Sequence, residues 1–492
     1  MSNLKIKKIS SSKLFVFLKS KLNLFIYALI LVLMNFIRVF DNSFWGDEGY
    51  SIMLAKMSVA DMITTTANDV HPPLYYLLVQ LLYHIFGNNG VAYHLSGFLP
   101  YLVIMIVGCT SVKKYFGRIP ETILITLSSI MSNCLTYNIE ARMYSLAAMF
   151  ILISYIAYYK ILKCNRLLNW FIFVISSLGA AYTHYYALLS VTFLYMMLLP
   201  LATKVKNYRK GIILSYIITI ICYLPWLIIL INAFTRTANS WWLDYIPSIR
   251  SCVKFLLDNI YIVLISAFVI LLYLLYQSNV LNLTLSKEEK KMNIQLDISN
   301  IKMSNDLYWI LSGLISIAGT VLIGLILSYA IRPFLVTRYI FPLSAILYLI
   351  IGFSISKLKF SKTWATLFVL LILCTHIPTY ISTYKEGKSF DQGTSNFLEN
   401  VQPEASEKII SNNKHLTWTL LDYYYPENVG EYNTEAITNL NIDEDIVWLF
   451  WTEELDEFDI ESLNKQNYKV EKIYESNFAN TYYYSYKLSC IN

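Results

Sequence analysis

The stretch LFIYALILVLMNFIRVFDNSFWGDEGYS, residues 24–51, sets the architecture of the chain. It begins with a mostly apolar run of about twenty residues, the length that crosses a hydrocarbon core of about 30 Å. Asp47 and Glu48 then stand side by side where the chain leaves that core. Ionisable residues at such a boundary are unfavourable for insertion, so the acidic pair indicates a functional site rather than a folding requirement.

The composition is that of a membrane protein. Of 492 residues, 56% are hydrophobic and only 15% are charged, whereas soluble domains carry about 25% charged residues. Six lysines precede the first apolar run, as in a secretory signal. That run is too long for a signal and lacks a small-residue cleavage site, so we expect a retained first helix.

The net charge of +6 hides two opposite parts of the chain. Residues 1–384 contain 31 Lys and Arg against 13 Asp and Glu, whereas residues 385–492 contain 8 against 20. The basic excess belongs to membrane loops, so no nucleic-acid partner is expected. The seven cysteines form no CxxC or Cys/His cluster, so the sequence predicts neither a metal site nor a disulfide framework.

Hydropathy and charge together predict eleven membrane spans. They lie near residues 20–40, 94–112, 119–137, 142–160, 167–183, 185–203, 211–231, 257–276, 307–330, 339–356 and 363–383. A twelfth apolar segment, residues 74–86, is too short to cross. Leaving it out and placing the N-terminus in the cytoplasm puts 23 of the 31 basic residues of this part on the cytoplasmic side, as the positive-inside tendency requires.

This topology predicts an α-helical polytopic protein of the plasma membrane with a C-terminal extracytoplasmic α/β domain. Residues 1–384 form the membrane domain, residues 41–92 its first exterior loop, and residues 74–86 an interfacial helix within that loop. Residues 277–306 become a solvated cytoplasmic loop. In residues 385–492, short apolar runs alternate with helix-like stretches, which predicts a small α/β domain outside the cell.

Five motifs converge on the exterior face of the predicted bundle. They are WGDEGYS (45–51), DVHPPLYY (69–76), NIEARMYS (138–145), YTHYYALL (182–189) and RPFLVTRYIFP (332–342). Each brings a titratable or cationic residue to a span end, and the set is Asp47, Glu48, Asp69, His71, Glu140, Arg142, His184, Arg332 and Arg338. Interfacial Arg, His and Tyr can also serve only as helix anchors, but carboxylates gain nothing at that interface.

These residue types suit a sugar carried on a lipid phosphate. Carboxylates supply a general base, Arg and His supply charge-assisted contacts to phosphate, and aromatic rings offer faces for sugar stacking. Because nucleotide sugars are absent outside the cell, an activated sugar must arrive there on a lipid. The expected partners are therefore a polyprenyl-phosphate-linked sugar, an extracytoplasmic acceptor and the lipid bilayer.

The acidic pair, followed by HPPLYY (71–76), ARMYSL (141–146) and TRYIFP (337–342), resembles the membrane glycosyltransferases of the GT-C superfamily. The most similar branches are the protein O-mannosyltransferases, the lipid A aminoarabinose transferases and the lipopolysaccharide-core galacturonosyltransferases. The resemblance covers residues 20–350 and rests on short motifs, so donor and acceptor specificity do not transfer.

The resemblance implies an inverting glycosyltransferase. No cofactor is expected, and a single displacement at the anomeric carbon needs no metal. Asp47 carries over as the catalytic base, with Glu48 as a second candidate catalytic residue of different role. His71 would contact the donor phosphate, and Arg142 and Arg338 would lie near the leaving phosphate. The remaining substrate-binding candidates are Asp69, Glu140, Tyr144, His184 and Tyr185.

Other interpretations remain open at this point. A transporter or flippase of lipid-linked glycans would show internal repeats and charges near the midplane, and neither is found in the sequence. A non-catalytic protein presenting an exterior binding domain would not need convergent polar span ends. Asp443 and Asp445 form a D-x-D spacing like that of nucleotide-sugar enzymes, but they precede an apolar run and are interpreted as a turn.

The topology can be tested by cysteine accessibility. We expect a cysteine placed within residues 87–92 to react with a membrane-impermeant thiol reagent added outside intact cells. A cysteine within residues 113–118 should react only after permeabilisation. Cytoplasmic reactivity of residues 87–92 would show that residues 74–86 cross the membrane.

Overall fold

The computed structural model describes residues 21–491, apart from residues 205, 240–242, 279–280, 286–291, 297–302, 406, 434–436, 438–439, 441 and 443. The chain is mainly helical as far as residue 400. The helices of this part are α1 (Lys21–Phe36), α2 (Gly46–Lys56), α3 (Val59–Ala67), α4 (Leu74–Phe86), α5 (Gly90–Val107), α6 (Lys113–Phe116), α7 (Arg118–Ile130), α8 (Ser132–Tyr137), α9 (Tyr144–Lys163), α10 (Leu167–Ala181), α11 (Tyr185–Met196), α12 (Leu199–Lys204), α13 (Lys206–Asn239), α14 (Ile249–Leu257), α15 (Ile260–Gln277), α16 (Asn305–Ala330), α17 (Ser344–Lys357) and α18 (Ser361–Asn400).

Nine helical runs among the described residues are long and apolar enough to cross a membrane. They are Leu22–Phe40, Gly90–Phe116, Tyr144–Lys163, Tyr185–Thr203, Lys206–Arg236, Ile260–Gln277, Asn305–Ala330, Thr337–Lys357 and Ser361–Asn400. Each corresponds to one predicted span, and the chain is a multi-pass membrane protein. The other two predicted spans are shorter helices, α7 with α8 and α10, so the number of eleven crossings stays a prediction.

A break at Met131 divides the predicted span at 119–137 into α7 and α8. Met131 has extended backbone angles, φ −61° and ψ 142°. The backbone N–H of Ser132 donates to Oδ2 of Asp258 at 2.6 Å. A carboxylate from another segment of the chain thus accepts a backbone N–H at the start of α8, for which the helix itself has no acceptor.

The segment predicted as the first exterior loop folds into three helices, α2, α3 and α4. Helix α4 has the bounds expected of the interfacial segment, Leu74–Phe86. One face buries Tyr75, Tyr76 and Val79, whereas Leu81 and Ile85 are exposed on the other. This division suits a helix that packs on the protein with one face and meets lipid with the other.

The last helix of the membrane part, α18, continues into the C-terminal part without interruption. It has 40 residues, about 60 Å of helix at 1.5 Å per residue, which is longer than a bilayer core requires. The predicted domain boundary at residue 385 therefore falls inside a helix. The strands of the C-terminal sheet begin only at Lys408.

The C-terminal part is an α/β domain with a five-stranded mixed sheet. The strands of the chain are β1 (Leu281–Leu285), β2 (Met292–Leu296), β3 (Lys408–Ser411), β4 (Val429–Tyr432), β5 (Ile446–Trp451), β6 (Tyr468–Phe478) and β7 (Thr481–Cys490). The sheet has the order β4-β3-β5-β7-β6, in which β3 runs parallel to β4 and β5. The helices α19 (Leu421–Tyr424) and α20 (Glu457–Lys465) lie between its strands in sequence.

Two sequence expectations fall in regions with partial description. Strands β1 and β2 form an antiparallel pair within the predicted cytoplasmic loop 277–306. Asp445 lies directly before strand β5, and Asp443 lies outside the described residues. The interpretation of the D-x-D spacing as a turn stays a prediction.

The two faces of the sheet pack against different partners. Val447, Leu449 and Leu488 on one face pack in a core that includes Leu463 of α20. On the other face, Phe450 and Phe478 belong to the core that continues into the membrane part. Phe397 near the end of α18 stacks on Phe478 with ring centroids 4.5 Å apart, so the sheet is joined to the membrane part through an aromatic core.

The segment after β3 packs directly on α2, the helix that carries the acidic pair. A Cβ atom on Gly49 would lie 2.5 Å from Oγ1 of Thr419 and 2.7 Å from Cγ of Leu420. A Cβ atom on Gly46 would lie 2.6 Å from Cγ of His415. Only glycine allows this approach, so α2 is held between the membrane part and the C-terminal domain.

The packing of α2 can be tested with Gly49→Val. The added atoms would overlap Thr419 and Leu420, and we expect overpacking to destabilise the fold by about 1–3 kcal/mol. Thermal unfolding of the detergent-solubilised protein measures this effect. Ala60→Val on exposed α3 adds the same kind of side chain without a neighbour and should leave Tm unchanged. Equal Tm values for both variants would contradict the close contact.

Candidate active site

The acidic pair occupies the first turn of α2, where the backbone N–H groups favour carboxylates. Glu48 points inward and only 4% of it is exposed. Its Oε2 accepts the backbone N–H of Trp45 at 3.3 Å, and its Oε1 accepts that of Ala141 at 2.9 Å. Nε2 of His94 lies 3.7 Å from the same Oε1. These contacts of Glu48 join α2 to the loop before α9.

Asp47 points the other way and contacts two guanidinium groups. Its Oδ2 lies 2.9 Å from Nη2 of Arg338, with 23% of the Asp47 side chain exposed. Its backbone carbonyl accepts a hydrogen bond from Nη1 of Arg142 at 3.0 Å. The Arg338 guanidinium also lies over the Trp45 ring, 5.4 Å from the centroid. Asp47 is therefore an oriented carboxylate at an accessible edge of the site.

The loop between α8 and α9 supplies Glu140 and Arg142. Oε1 of Glu140 accepts the indole N–H of Trp45 at 2.8 Å. Burial raises the pKa of Glu140, and the neighbouring Glu48 raises it further, while Arg142 opposes both. Among the described residues, Oε2 of Glu140, Nε of Arg142 and the Tyr144 hydroxyl have no hydrogen-bond partner. Buried polar atoms are almost always paired in native proteins, so these atoms are available to a ligand.

Two histidines form the next part of the site. Nδ1 of His71 lies 3.2 Å from Oδ2 of Asp69. Burial acts to raise the pKa of Asp69, but the hydrogen bond and the charge of His71 outweigh it and lower that pKa. The backbone N–H of Leu74 donates to the carbonyl of Tyr182 at 3.1 Å. That contact joins the two histidine loops, and the ring centroids of His71 and His184 lie 6.2 Å apart.

His184 is neutral in this environment. Burial lowers its pKa, and the nearby His71, Arg142 and Arg338 lower it further. Its Nδ1 accepts the backbone N–H of Tyr186 at 3.1 Å at the start of α11, so the proton of the neutral ring is on Nε2. His184 is therefore a neutral donor beside the two guanidinium groups.

A largely apolar cavity of about 890 Å³, including its open mouth, extends from these histidines. His71, His184 and Tyr339 line it at the polar end. Its apolar walls are residues of three membrane-spanning helices, α11, α13 and α16, and they include Leu188, Leu230, Phe234, Gly324 and Leu327. The cavity thus leads from the polar cluster to the apolar ends of three spans.

A second, polar cavity of about 1340 Å³ lies beside Trp45 and Arg338. Its lining includes Glu48 and Glu140 from the site and Glu386 from the extension of α18. The site therefore has an apolar approach beside the histidines and a polar approach beside the acidic pair.

The structure brings together most of the residues that the motifs indicated. Direct contacts link Asp47 with Arg338 and Arg142, and Asp69 with His71. The Tyr144 ring lies beside that of His184, with centroids 5.8 Å apart and the planes tilted by 53°. Glu48 accepts two backbone N–H groups, and Glu140 accepts the indole N–H of Trp45. Tyr185 accepts the Trp226 indole N–H at 3.3 Å and lines the apolar cavity. The backbone N–H of Arg332 donates to the carbonyl of Leu327 at the end of α16.

Several site residues were missed by sequence reasoning. Trp45 and Tyr339 lie inside two of the motifs and could have been selected as aromatic partners of the charged residues. His94 lies in a predicted span without a motif around it. The contacts from the C-terminal domain had no local signal, since residues 413–424 and 479–483 resemble ordinary loop and hairpin sequence.

Comparison with known proteins supports the resemblance seen in the motifs. The family model of dolichyl-phosphate-mannose-protein mannosyltransferase matches residues 70–229. The apo crystal structure of ArnT from Cupriavidus metallidurans is similar with a TM-score of 0.55 and 11% identity, covering 94% of this chain and 97% of that chain. The structure of ArnT from the same organism bound to undecaprenyl phosphate has a TM-score of 0.58 and 10% identity, covering 95% and 98%.

A search of curated proteins found no match. The chain has the fold of these two ArnT structures along nearly its whole length. The partial sequence match to the mannosyltransferase family agrees with this resemblance.

The raised pKa of Glu140 has a consequence for stability. The folded protein keeps this proton at pH values where the unfolded chain has released it, so stability falls as pH rises above about 4.3, the ordinary pKa of Glu. Glu140→Gln keeps an acceptor for Trp45 and cannot ionise. We expect its Tm to fall less than that of the wild type between about pH 5 and pH 8.

The control is Glu399→Gln, which changes an exposed glutamate on α18 and should follow the wild-type pH profile. If the Glu140→Gln profile also parallels that of the wild type, Glu140 is ionised throughout this range in the folded protein.

Proposed function

We propose that this protein is an inverting glycosyltransferase that moves a sugar from a polyprenyl phosphate to a hydroxyl group of an extracytoplasmic acceptor. The observation that carries the proposal is the apolar cavity among the ends of three spans, which leads to a cluster of imidazole and guanidinium groups beside Asp47. An amphiphile with a long apolar tail and a phosphate head fits this combination.

The donor lipid would occupy the apolar cavity. A tail placed among Leu188, Phe234 and Leu327 brings its phosphate to the end lined by His71, His184 and Tyr339. The cavity walls belong to spans, so the tail can enter from the bilayer. One protein of the same fold, ArnT from Cupriavidus metallidurans, has been crystallised with undecaprenyl phosphate, a ligand of this class.

The cations would stabilise the leaving phosphate. Arg142 is buried and charged, and Arg338 faces the same region from the opposite loop. As the bond between the anomeric carbon and the phosphate oxygen breaks, its electron pair goes to that oxygen. Charge-assisted donors fixed in a partly dry site stabilise such developing charge, typically by about 3 kcal/mol for one donor. His184 adds a neutral N–H donor from Nε2.

Asp47 would act as the general base. It accepts the proton of the acceptor hydroxyl while the acceptor oxygen bonds to the anomeric carbon from the face opposite the phosphate. The products are a glycoside of inverted configuration and polyprenyl phosphate, and Asp47 returns its proton to water. The ion pair with Arg338 fixes the direction of its carboxylate.

Glu48 has a supporting role in this proposal. Both of its carboxylate oxygens accept backbone N–H groups, which sets the angle of the first turn of α2. It therefore positions Asp47 rather than taking the proton itself. This assignment separates the two adjacent acids by the direction in which each side chain points.

A transporter or flippase of lipid-linked glycans is the alternative. It would need a polar path through the bilayer, whereas the charged motifs gather at one end of the spans and the cavity among the spans is apolar. This arrangement favours transfer at the membrane surface over passage across it.

Asp47→Asn tests the proposed chemistry. The amide keeps the shape but cannot accept the proton, and loss of a general base typically lowers the rate by about 10²–10⁴-fold. The assay incubates purified protein with a panel of polyprenyl-phosphate sugars and measures released lipid phosphate. Donor binding and Tm should survive. Asp61→Asn, at an exposed position of the same loop, is the matched control and should retain the wild-type rate.

Transfer at the wild-type rate by Asp47→Asn would place the base elsewhere, with Asp69 the first residue to examine. No turnover of any donor by the wild type would overturn the proposed function itself.

A further inference from the structure

Polar contacts from the C-terminal part hold residues 41–48, the segment that ends in the acidic pair and is called the acidic loop below. The backbone N–H of Phe44 donates to the Tyr424 hydroxyl at 3.0 Å, and that hydroxyl donates to the carbonyl of Asn42 at 3.1 Å. The backbone N–H of Asn42 donates to Oδ1 of Asp391 at 2.5 Å. At the far end of α2, Nζ of Lys56 lies 2.5 Å from Oδ2 of Asp422. The domain is therefore part of the structure that positions Asp47.

A cavity of about 570 Å³ lies between this loop and the domain. Asp47 lines it on one side, and His415, Asn413, Asn480 and Tyr483 line it on the other. The proposed base thus opens onto a space that the C-terminal domain largely encloses.

The hairpin that joins β6 to β7 brings Asn480 to this cavity in a strained turn. Ala479 and Asn480 have φ values of +50° and +60°, the type I′ conformation in which glycine and asparagine are preferred and alanine is unfavourable. The turn is held because the backbone N–H of Ala479 donates to Oγ1 of Thr394 at 3.3 Å and Oγ of Ser43 donates to Oδ1 of Asn480 at 3.1 Å. Strained turns held in this way are concentrated at functional sites.

His415 lies close to the proposed base. Its ring packs so closely on Gly46, the residue before Asp47, that a Cβ atom there would lie 2.6 Å from Cγ of His415. The main chain of His415 is fixed because its N–H donates to Oδ1 of Asn413 at 3.0 Å. The imidazole is exposed, so it is available to a molecule in the cavity.

We infer that the acceptor binds in this cavity and that His415 and Asn480 determine which acceptor is used. This inference rests on the proposed function and adds the acceptor half of the site. The lining offers amide, imidazole and hydroxyl groups with the rings of Trp45 and Tyr483, and among the described lining residues none is Lys or Arg. Neutral hydrogen-bonding groups beside aromatic faces suit a neutral, hydroxyl-rich carbohydrate.

The enclosed shape also favours a sugar over a polypeptide. An extended peptide is usually bound along an open groove or an exposed strand edge, whereas this space is closed by the acidic loop on one side and by the β6–β7 hairpin on the other. A terminal sugar residue can enter it and present one hydroxyl to Asp47.

The test measures transfer by the full-length protein from a polyprenyl-phosphate sugar that the wild type uses. The acceptor probes are a neutral N-acetylhexosamine tetrasaccharide, a Ser/Thr-rich peptide and a phosphorylated glycolipid. The variants are His415→Gln, His415→Ala and Asn480→Gly, the last of which removes the side-chain amide while tolerating the positive φ. Trp418→Ala, an exposed position on the same segment as His415, is the control.

We expect the wild type to use the tetrasaccharide. His415→Ala and Asn480→Gly should each raise the KM for the tetrasaccharide about tenfold, the effect of losing about 1.4 kcal/mol of binding free energy. The donor KM and the release of lipid phosphate in the absence of acceptor should stay unchanged, and His415→Gln should recover part of the acceptor affinity. The control should behave as the wild type.

Three outcomes would overturn the inference. They are unchanged acceptor KM in His415→Ala and Asn480→Gly, an equal rise of donor and acceptor KM in those variants, and transfer to the peptide or the glycolipid but not to the tetrasaccharide. Each of these presupposes a wild type that turns over donor, so they are distinct from a failure of the proposed function.

Discussion

The ion pair between Asp47 and Arg338 joins two segments that are almost three hundred residues apart in sequence. One segment leaves the first span and the other begins the span at Thr337–Lys357. The pair fixes the direction of a carboxylate at a partly exposed edge of the site. Arg has five donors in a planar fork, which suits it to contacts with carboxylate and phosphate groups.

The arrangement around this ion pair depends on the different burial of neighbouring acidic side chains. Glu48 and Glu140 are buried, and burial and the neighbouring Glu48 raise the pKa of Glu140. The Asp47 side chain is 23% exposed and faces the open site. Two adjacent residues on a helix point about 100° apart, and this difference directs Glu48 to the backbone around it and Asp47 to the open site. The contacts of Glu48 and Glu140 therefore determine where Asp47 lies.

Two kinds of space meet at the cluster. The apolar cavity lies among α11, α13 and α16, and its lining suits a lipid tail. The polar cavities lie beside Trp45 and the C-terminal domain. A transfer between a membrane-borne donor and a water-borne acceptor needs both approaches to reach the same carboxylate. The long helix α18 carries the C-terminal domain to that position, and its aromatic contact with the sheet makes the domain continuous with the membrane core.

The sequence by itself determined the membrane class, the positions of nine candidate spans, the bounds of α4 and the α/β character of the C-terminal part. These properties follow from local hydropathy and periodicity, which can be recognised within short segments of the sequence. The motif residues Asp47, Arg142, His184 and Arg338 were also visible, because titratable side chains at span ends are unfavourable without a function. Even the aromatic partners Trp45 and Tyr339 lay within the motifs.

Only the tertiary structure decided which of these residues touch and what each one faces. The different contacts of Asp47 and Glu48 depend on the backbone N–H of Ala141 and on the guanidinium of Arg338, both distant in sequence. The contribution of His415 and Asn480 had no local signal, since a histidine in a loop and an asparagine in a hairpin are common in any sequence. Their meaning arises when a domain distant in sequence packs on Gly46 and Gly49, and such long-range contacts are set by the packing of whole elements rather than by local pattern.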